Sequence, residues 1–208
     1  MDRGHLRFLW ARLRRDEAVL GEWSCSRAAL EDELAGRSVA IVGNARSLAA
    51  TGHGARIDAA DLVIRINRAP MPSARSHGAR TDWLALATRL SPAEEARIAP
   101  ARILWMSHKR KRLPWRIAAR PDFFLYPLAE FEALRGRLHA PPTTGLMIID
   151  FVARSQAAEV SLYGFDFFAS LSLTGRRTAA QVPHDFAAER AFVERLIETD
   201  PRFRLVTA

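Results

Sequence analysis

The chain has 208 residues, 49% of them hydrophobic and 26% charged, which suits one globular domain with a sizeable core and excludes intrinsic disorder. Its 31 basic and 23 acidic residues leave a net charge of +8 at pH 7, nearly all of it arginine because Lys109 and Lys111 are the only lysines. An anionic partner is expected, and the planar guanidinium favours phosphate or carboxylate without choosing among nucleic acid, lipid and a small acidic substrate.

The first element reads as a basic amphipathic helix, with Leu6, Leu9, Trp10 and Leu13 at helical spacing and Arg3, Arg7 and Arg14 on another face. This stripe either packs on the domain or on a second subunit, or lies on a membrane surface. No apolar run approaches the roughly 20 residues of a membrane span, and no secretory signal pattern opens the chain. The single cysteine, Cys25, excludes an internal disulfide, a Cys-rich zinc site and a CxxC motif, so a reducing compartment, the cytoplasm by default, is expected. A short helix over residues 28–34 stops at Gly36. Residues 1–36 are therefore read as N-terminal helices and 37–208 as the main domain.

From Ser38 onward, β-rich runs at 38–42, 62–66, 83–87, 103–106, 123–126, 160–163 and 203–206 alternate with helices at 92–98, 128–138, 144–154 and 185–198. That alternation predicts an α/β fold, a single Rossmann-like domain whose mostly parallel sheet is flanked by helices. The polar stretch 170–182 is the longest without clear structure, read either as an ordinary mobile loop or as a functional lid.

Four segments could carry chemistry. The first strand ends in Gly43 and Asn44, where open α/β folds bind ligands and glycine lets a ligand approach the backbone. GxGxxG does not continue there, and no GxxxxGK[ST] loop occurs, so NAD is a weak reading and a P-loop NTPase is excluded. Asn67 follows the second strand between Arg65 and Arg68, as a turn residue or as an amide that reads a ribose or base edge. PPTTG, from Pro141 to Gly145, opens an apolar helix; a threonine can cap it, and its first N–H groups then form either a plain helix start or an anion site. In the last helix Glu189 falls on the apolar stripe of Phe186, Val193, Leu196 and Ile197 and needs a partner. His184 stands outside that stripe at the helix entrance, where the helix dipole favours a neutral, proton-accepting imidazole over an ordinary surface histidine.

In this order the segments resemble the animal-type sialyltransferase family, whose donors are CMP-linked nine-carbon sugar acids. SVAIVGNARSLAATGHGARIDAADLVIRINRAP is similar to its long motif, PPTTGLMIIDFVARSQAAEVSLYGFDFF to its short motif, and His184 with Glu189 to its very short motif. The resemblance implies a short variant of the nucleotide-binding glycosyltransferase fold, with inverting chemistry and neither metal nor cofactor beyond the CMP-sugar donor. It assigns Gly43, Asn44 and Asn67 to the donor's CMP part, Thr143, Thr144 and Gly145 to its phosphate or nucleotide, Gly164 to the nucleotide wall, His184 to the base and Glu189 to support. Two features depart from the family. Its paired cysteines are missing, and no histidine lies between Asp166 and Pro183, so Arg176 or Arg177 is a candidate for meeting the departing phosphate.

The expected partners are a CMP-linked donor and a glycan or glycolipid acceptor. CMP-Kdo is an alternative donor. From another class, HKRKR at 108–112 with Trp115 after it suggests a nucleic-acid or membrane-surface module, or else a solvated surface turn or a site for an anionic acceptor or lipid head group.

Overall fold

The computed structural model describes residues 2–167 and 183–207. The readings of 170–182, Arg176 and Arg177 lie outside the described residues. Seven strands, β1 (Ser38–Val42), β2 (Leu62–Ile66), β3 (Trp83–Leu86), β4 (Arg102–Trp105), β5 (Phe123–Leu125), β6 (Glu159–Tyr163) and β7 (Phe203–Val206), form one sheet in the order β5-β4-β3-β2-β1-β6-β7. Every pairing is parallel. The expected α/β class is therefore borne out, with a wholly parallel sheet among the described residues.

A parallel sheet must bury both faces, so its strands read as continuous apolar runs. All five residues of β2 are buried, and so are four of the five in β1. Alternate side chains separate into two layers. Val39, Ile41, Trp83, Ala85 and Leu104 pack under Leu30, Leu134, Ile148 and Val193. On the other face Leu84, Leu86, Ile103 and Trp105 pack under Phe8, Leu20, Ile98 and Ile117.

The helices supplying the first layer are α3 (Arg27–Leu34), α8 (Leu128–Leu138), α9 (Thr144–Ala153) and α10 (Phe186–Thr199). The opposite layer uses α1 (Arg3–Arg14), α2 (Glu17–Gly21), α6 (Pro92–Ile98) and α7 (Trp115–Ala118), with α4 (Gly54–Asp58) and α5 (Ala74–His77) between β1 and β3. Local chemistry sets these starts. Ser91 and Glu94 close a capping box ahead of Pro92, while Asp2, Asp16 and Ser26 cap α1, α2 and α3, each cap worth about 1 kcal/mol.

Two expectations are corrected. Of the stripe Leu6, Leu9, Trp10 and Leu13, only Leu9 packs on the domain: Phe8 is 0% exposed and Ala11 is buried with Leu9 against them, whereas Leu6, Trp10 and Leu13 are 44%, 59% and 60% exposed. Phe8 wins because Trp23 and Trp115 enclose its ring at 5.6 and 5.2 Å, burial worth about 2–3 kcal/mol. The run 108–112 is not uniformly solvated either. Arg110 is 1% exposed, paired in a fork with Glu17 and bonded to the carbonyls of Ser107 and Tyr126.

Candidate active site

The strand order reverses direction at β1. From β1 the chain steps outward through β2 to β5, then returns to place β6 and β7 on the other side. The crevice beyond the carboxyl ends of β1 and β6 is the switch point at which open α/β sheets bind ligands. Gly43 and Asn44 leave β1 there, Asn67 leaves β2 and Gly164 leaves β6.

These loops meet through backbone contact. Gly43 N–H donates to Tyr163 O at 2.7 Å, and Ala45 N–H donates to Gly164 O at 3.1 Å. A Cβ on Gly43 would lie 2.3 Å from Gly164 O, and Gly164 itself has φ +66°. Protein backbone therefore already occupies the close approach that the sequence suggested a ligand would make at Gly43. One on Gly145 would lie 2.8 Å from the Phe165 ring, so that ring links α9 to the β6 loop. Phe165 ends the YGF that closes the short-motif segment, but the pattern gave it no role.

Asn67 adopts φ +52°, a left-handed conformation that asparagine tolerates better than most residues. Its Oδ1 accepts from Ala87 N–H at 3.0 Å, and its Nδ2 donates to Thr144 Oγ1 at 3.4 Å. The amide thus ties the ends of β2 and β3 to the start of α9. Asn44 Nδ2 lies 3.5 Å from Ile66 O, joining the ends of β1 and β2. Arg65, beside Asn67 in sequence, is structural: it is 1% exposed and donates to the carbonyls of Arg80 and His77 and to Thr81 Oγ1. Burial draws its pKa down to about 10, against the pull of Asp58 and Asp82.

At the start of α9, Thr143 is the N-cap, and its Oγ1 accepts from Leu146 N–H at 3.1 Å. The N–H groups of Thr144 and Gly145 have no acceptor among the described residues, which leaves the positive end of a ten-residue helix at the crevice. The partner that Glu189 needed is Thr143. Its N–H and hydroxyl donate to the two carboxylate oxygens at 2.6 and 2.7 Å. Burial pushes Glu189 up to about 7, although both Thr143 bonds favour the charged form.

Two residues before α10, His184 Nδ1 lies 2.8 Å from Pro141 O. A carbonyl only accepts, so Nδ1 carries the proton and the neutral ring keeps its lone pair on Nε2. Pro141, one of the two prolines expected to stiffen the approach to α9, also orients the imidazole through its carbonyl. The sequence-predicted site residues other than Asn44, which bonds Ile66 O, thus join one contact network, from His184 and Glu189 through Thr143 and Thr144 to Asn67, and from Gly145 through Phe165 to Gly43 and Gly164. Beside it, at the ends of β6 and β7, a cavity of about 460 Å³ is lined by Thr51, His53, Gly164, Asp166 and Arg190 among others. His53, which the sequence did not single out, approaches Thr207 O there at 3.1 Å.

The model of glycosyltransferase family 29 (sialyltransferase) matches residues 24–89. The chain resembles the sialyltransferases. The matched residues run from before α3 to just past β3 and include the VGN turn and Asn67. A mammalian sialyltransferase crystallised with Gal-beta-1-3GalNAc-ortho-nitrophenol superposes with a TM-score of 0.64 and 19% identity, over 100% of this chain and 87% of that one. A second structure of a mammalian sialyltransferase gives 0.62 and 19%, covering 100% and 86%. No curated protein matches. These structural likenesses establish the fold, and the family match bears out the resemblance over the long motif.

Proposed function

We propose that the protein is an inverting, metal-independent glycosyltransferase that moves a 2-keto sugar acid, sialic acid or a relative such as Kdo, from a CMP-linked donor to a hydroxyl of a glycan or glycolipid. The observation that carries this reading is the meeting of His184, Glu189 and the start of α9 beside Gly43, Asn67 and Gly164 at one switch point, in a chain with sialyltransferase motifs. The glycan named with the similar mammalian enzyme supports an acceptor of that class.

The chemistry follows from the bond exchanged. As the anomeric C–O bond to CMP breaks, the sugar takes on oxocarbenium character and the leaving phosphate gains negative charge. The free N–H groups of Thr144 and Gly145 are suited to that charge, being preorganised and partly shielded from water. The acceptor hydroxyl attacks the opposite face of the sugar and must lose its proton; His184 Nε2, the ring nitrogen not used by Pro141, takes it. No DxD pair stands near a strand end, and a helix N-terminus serves where such enzymes would otherwise use a cation.

A thermal-shift series with CMP, UDP, GDP and NAD tests the donor. CMP at a hundredfold excess over its Kd adds about 2.7 kcal/mol, a Tm rise of about 5–10 °C for a chain of this size. Equal stabilisation by NAD or UDP, or none by CMP, would overturn the reading.

A further inference from the structure

The outer face of α1 remains unexplained by the fold. Leu6, Trp10 and Leu13 are about half exposed, while the same helix is anchored by its other face through Phe8 and through His5 stacked on Trp115 at 5.1 Å. An apolar face turned outward on a well-anchored helix is not a packing defect, because the inner face already satisfies the core.

The second observation is what the fold sets beside it. Arg12 Nη1 donates to Leu113 O at 3.0 Å, tying α1 to the turn that carries Lys109, Lys111 and Arg112, about a hundred residues away in sequence. All three are exposed. Together with Arg14, whose guanidinium sits over the Trp10 ring at 5.3 Å, none of them has an ion-pair partner among the described residues. The nearby acids are engaged: Glu22 with Arg7, Glu17 with Arg110, and Asp16 with the N–H of Val19. The surface therefore joins an apolar ridge to uncompensated positive charge.

We propose that α1 and the 109–112 turn form one docking surface for a bilayer rich in anionic phospholipid. Leu6, Trp10 and Leu13 enter the boundary between headgroups and acyl chains, and Arg14, Lys109, Lys111 and Arg112 meet the phosphates. Charge selects this occupant: a second copy of the chain would bring the same cations against themselves, and a duplex has no apolar layer to receive the ridge. At twelve residues α1 is about 18 Å long, long enough to lie in the interface. Among the described residues no helix is long and apolar enough to cross a membrane. The turn leaves the carboxyl end of β4, the sheet end that also carries the candidate active site. The proposal does not depend on the donor reading.

Vesicle sedimentation tests it, using phosphatidylcholine with and without phosphatidylglycerol. The full chain should pellet with the anionic vesicles, and less as salt rises. Trp10→Glu with Leu13→Glu should abolish pelleting. Lys109→Glu, Lys111→Glu and Arg112→Glu together should weaken it about a hundredfold, at about fivefold per basic residue. All five side chains are exposed, so circular dichroism and the CMP thermal shift should be unchanged, which separates a failure here from a failure of the enzyme reading. Equal pelleting with both vesicle types, or variants that bind like the parent, would overturn the proposal. So would a concentration-dependent dimer abolished by the Trp10 and Leu13 substitutions, or salt-sensitive oligonucleotide binding with no vesicle binding.

Discussion

The carboxylate of Glu189, in the first turn of α10, takes both the N–H and the hydroxyl of Thr143, the residue that caps α9. One buried side chain thus fixes two helix starts against each other, 46 residues apart in sequence. His184 and Pro141 repeat the link on the same two segments, so the proposed base and the proposed phosphate site move as a unit.

Stability should report the Glu189 charge. Its pKa in the folded protein, about 7, stands above the ordinary 4.5 because of burial, so folding favours the protonated acid. That contribution is complete below about pH 4.5 and is lost as the pH rises to about 7. Urea unfolding of Glu189→Gln should show little of this slope, the difference from the parent changing by up to about 3 kcal/mol across the window. Parallel profiles would mean that Glu189 stays charged throughout.

Three glycines should respond differently to alanine. In Gly43→Ala the new methyl meets the backbone oxygen of Gly164, which cannot swing aside, so a loss above about 3 kcal/mol is expected. Gly145→Ala meets the edge of the Phe165 ring, which can shift, and should lose about 1–2 kcal/mol with CMP affinity. Gly136 lies inside α8 with nothing within 4 Å of an added Cβ, and its alanine variant should gain about 0.5–1 kcal/mol. Chemical denaturation measures all three, and a tolerated Gly43→Ala would contradict the close β1–β6 approach.

Arg110→Leu should destabilise by about 3 kcal/mol, because truncation strands Glu17 and the carbonyls of Ser107 and Tyr126. For a chain of this size that is a Tm loss of about 6–12 °C. A variant melting with the parent would show that the fork is not a structural tie.

What the sequence revealed depended on range. The central strands were legible to within a residue because burial on both faces writes an uninterrupted apolar run, as in SVAIV. The short helices α2, α4, α5 and α7 were not, since four or five residues cannot display a 3.6-residue period. Helix α1 carries two apolar faces, and periodicity cannot say that Trp23 and Trp115 arrive to cover Phe8 rather than Trp10. The burial of Arg110 was equally illegible, its partner Glu17 being 93 residues away in sequence. Glu189 announced that it needed a partner, but only the fold identified Thr143.

Chelation is the simplest kinetic check on the proposed chemistry. With the leaving phosphate met by N–H groups at Thr144 and Gly145, transfer should persist in EDTA. Loss of activity on chelation, restored by manganese, would require a cation at the leaving group instead.

The sharpest test is the base. Of the six histidines, His5 stacks on Trp115, His77 is buried in the core, His108 stacks on Phe131 and His139 ends α8. Only His184 and His53 stand near the switch point, and His184 alone joins the network that holds α9. An acceptor hydroxyl has a pKa far above neutrality, so losing the base should cost roughly 10² to 10⁴ in turnover. His184→Ala should therefore lower kcat by that factor and leave CMP affinity nearly unchanged, because the start of α9 is still held by Glu189. His184→Gln can keep the Pro141 bond through its amide N–H but cannot take the proton, so it should be as slow as alanine. A glutamine variant with near-parental turnover would reduce His184 to a positioning residue. Full activity in both variants would shift the base to His53, whose Nε2 meets Thr207 O at the neighbouring cavity.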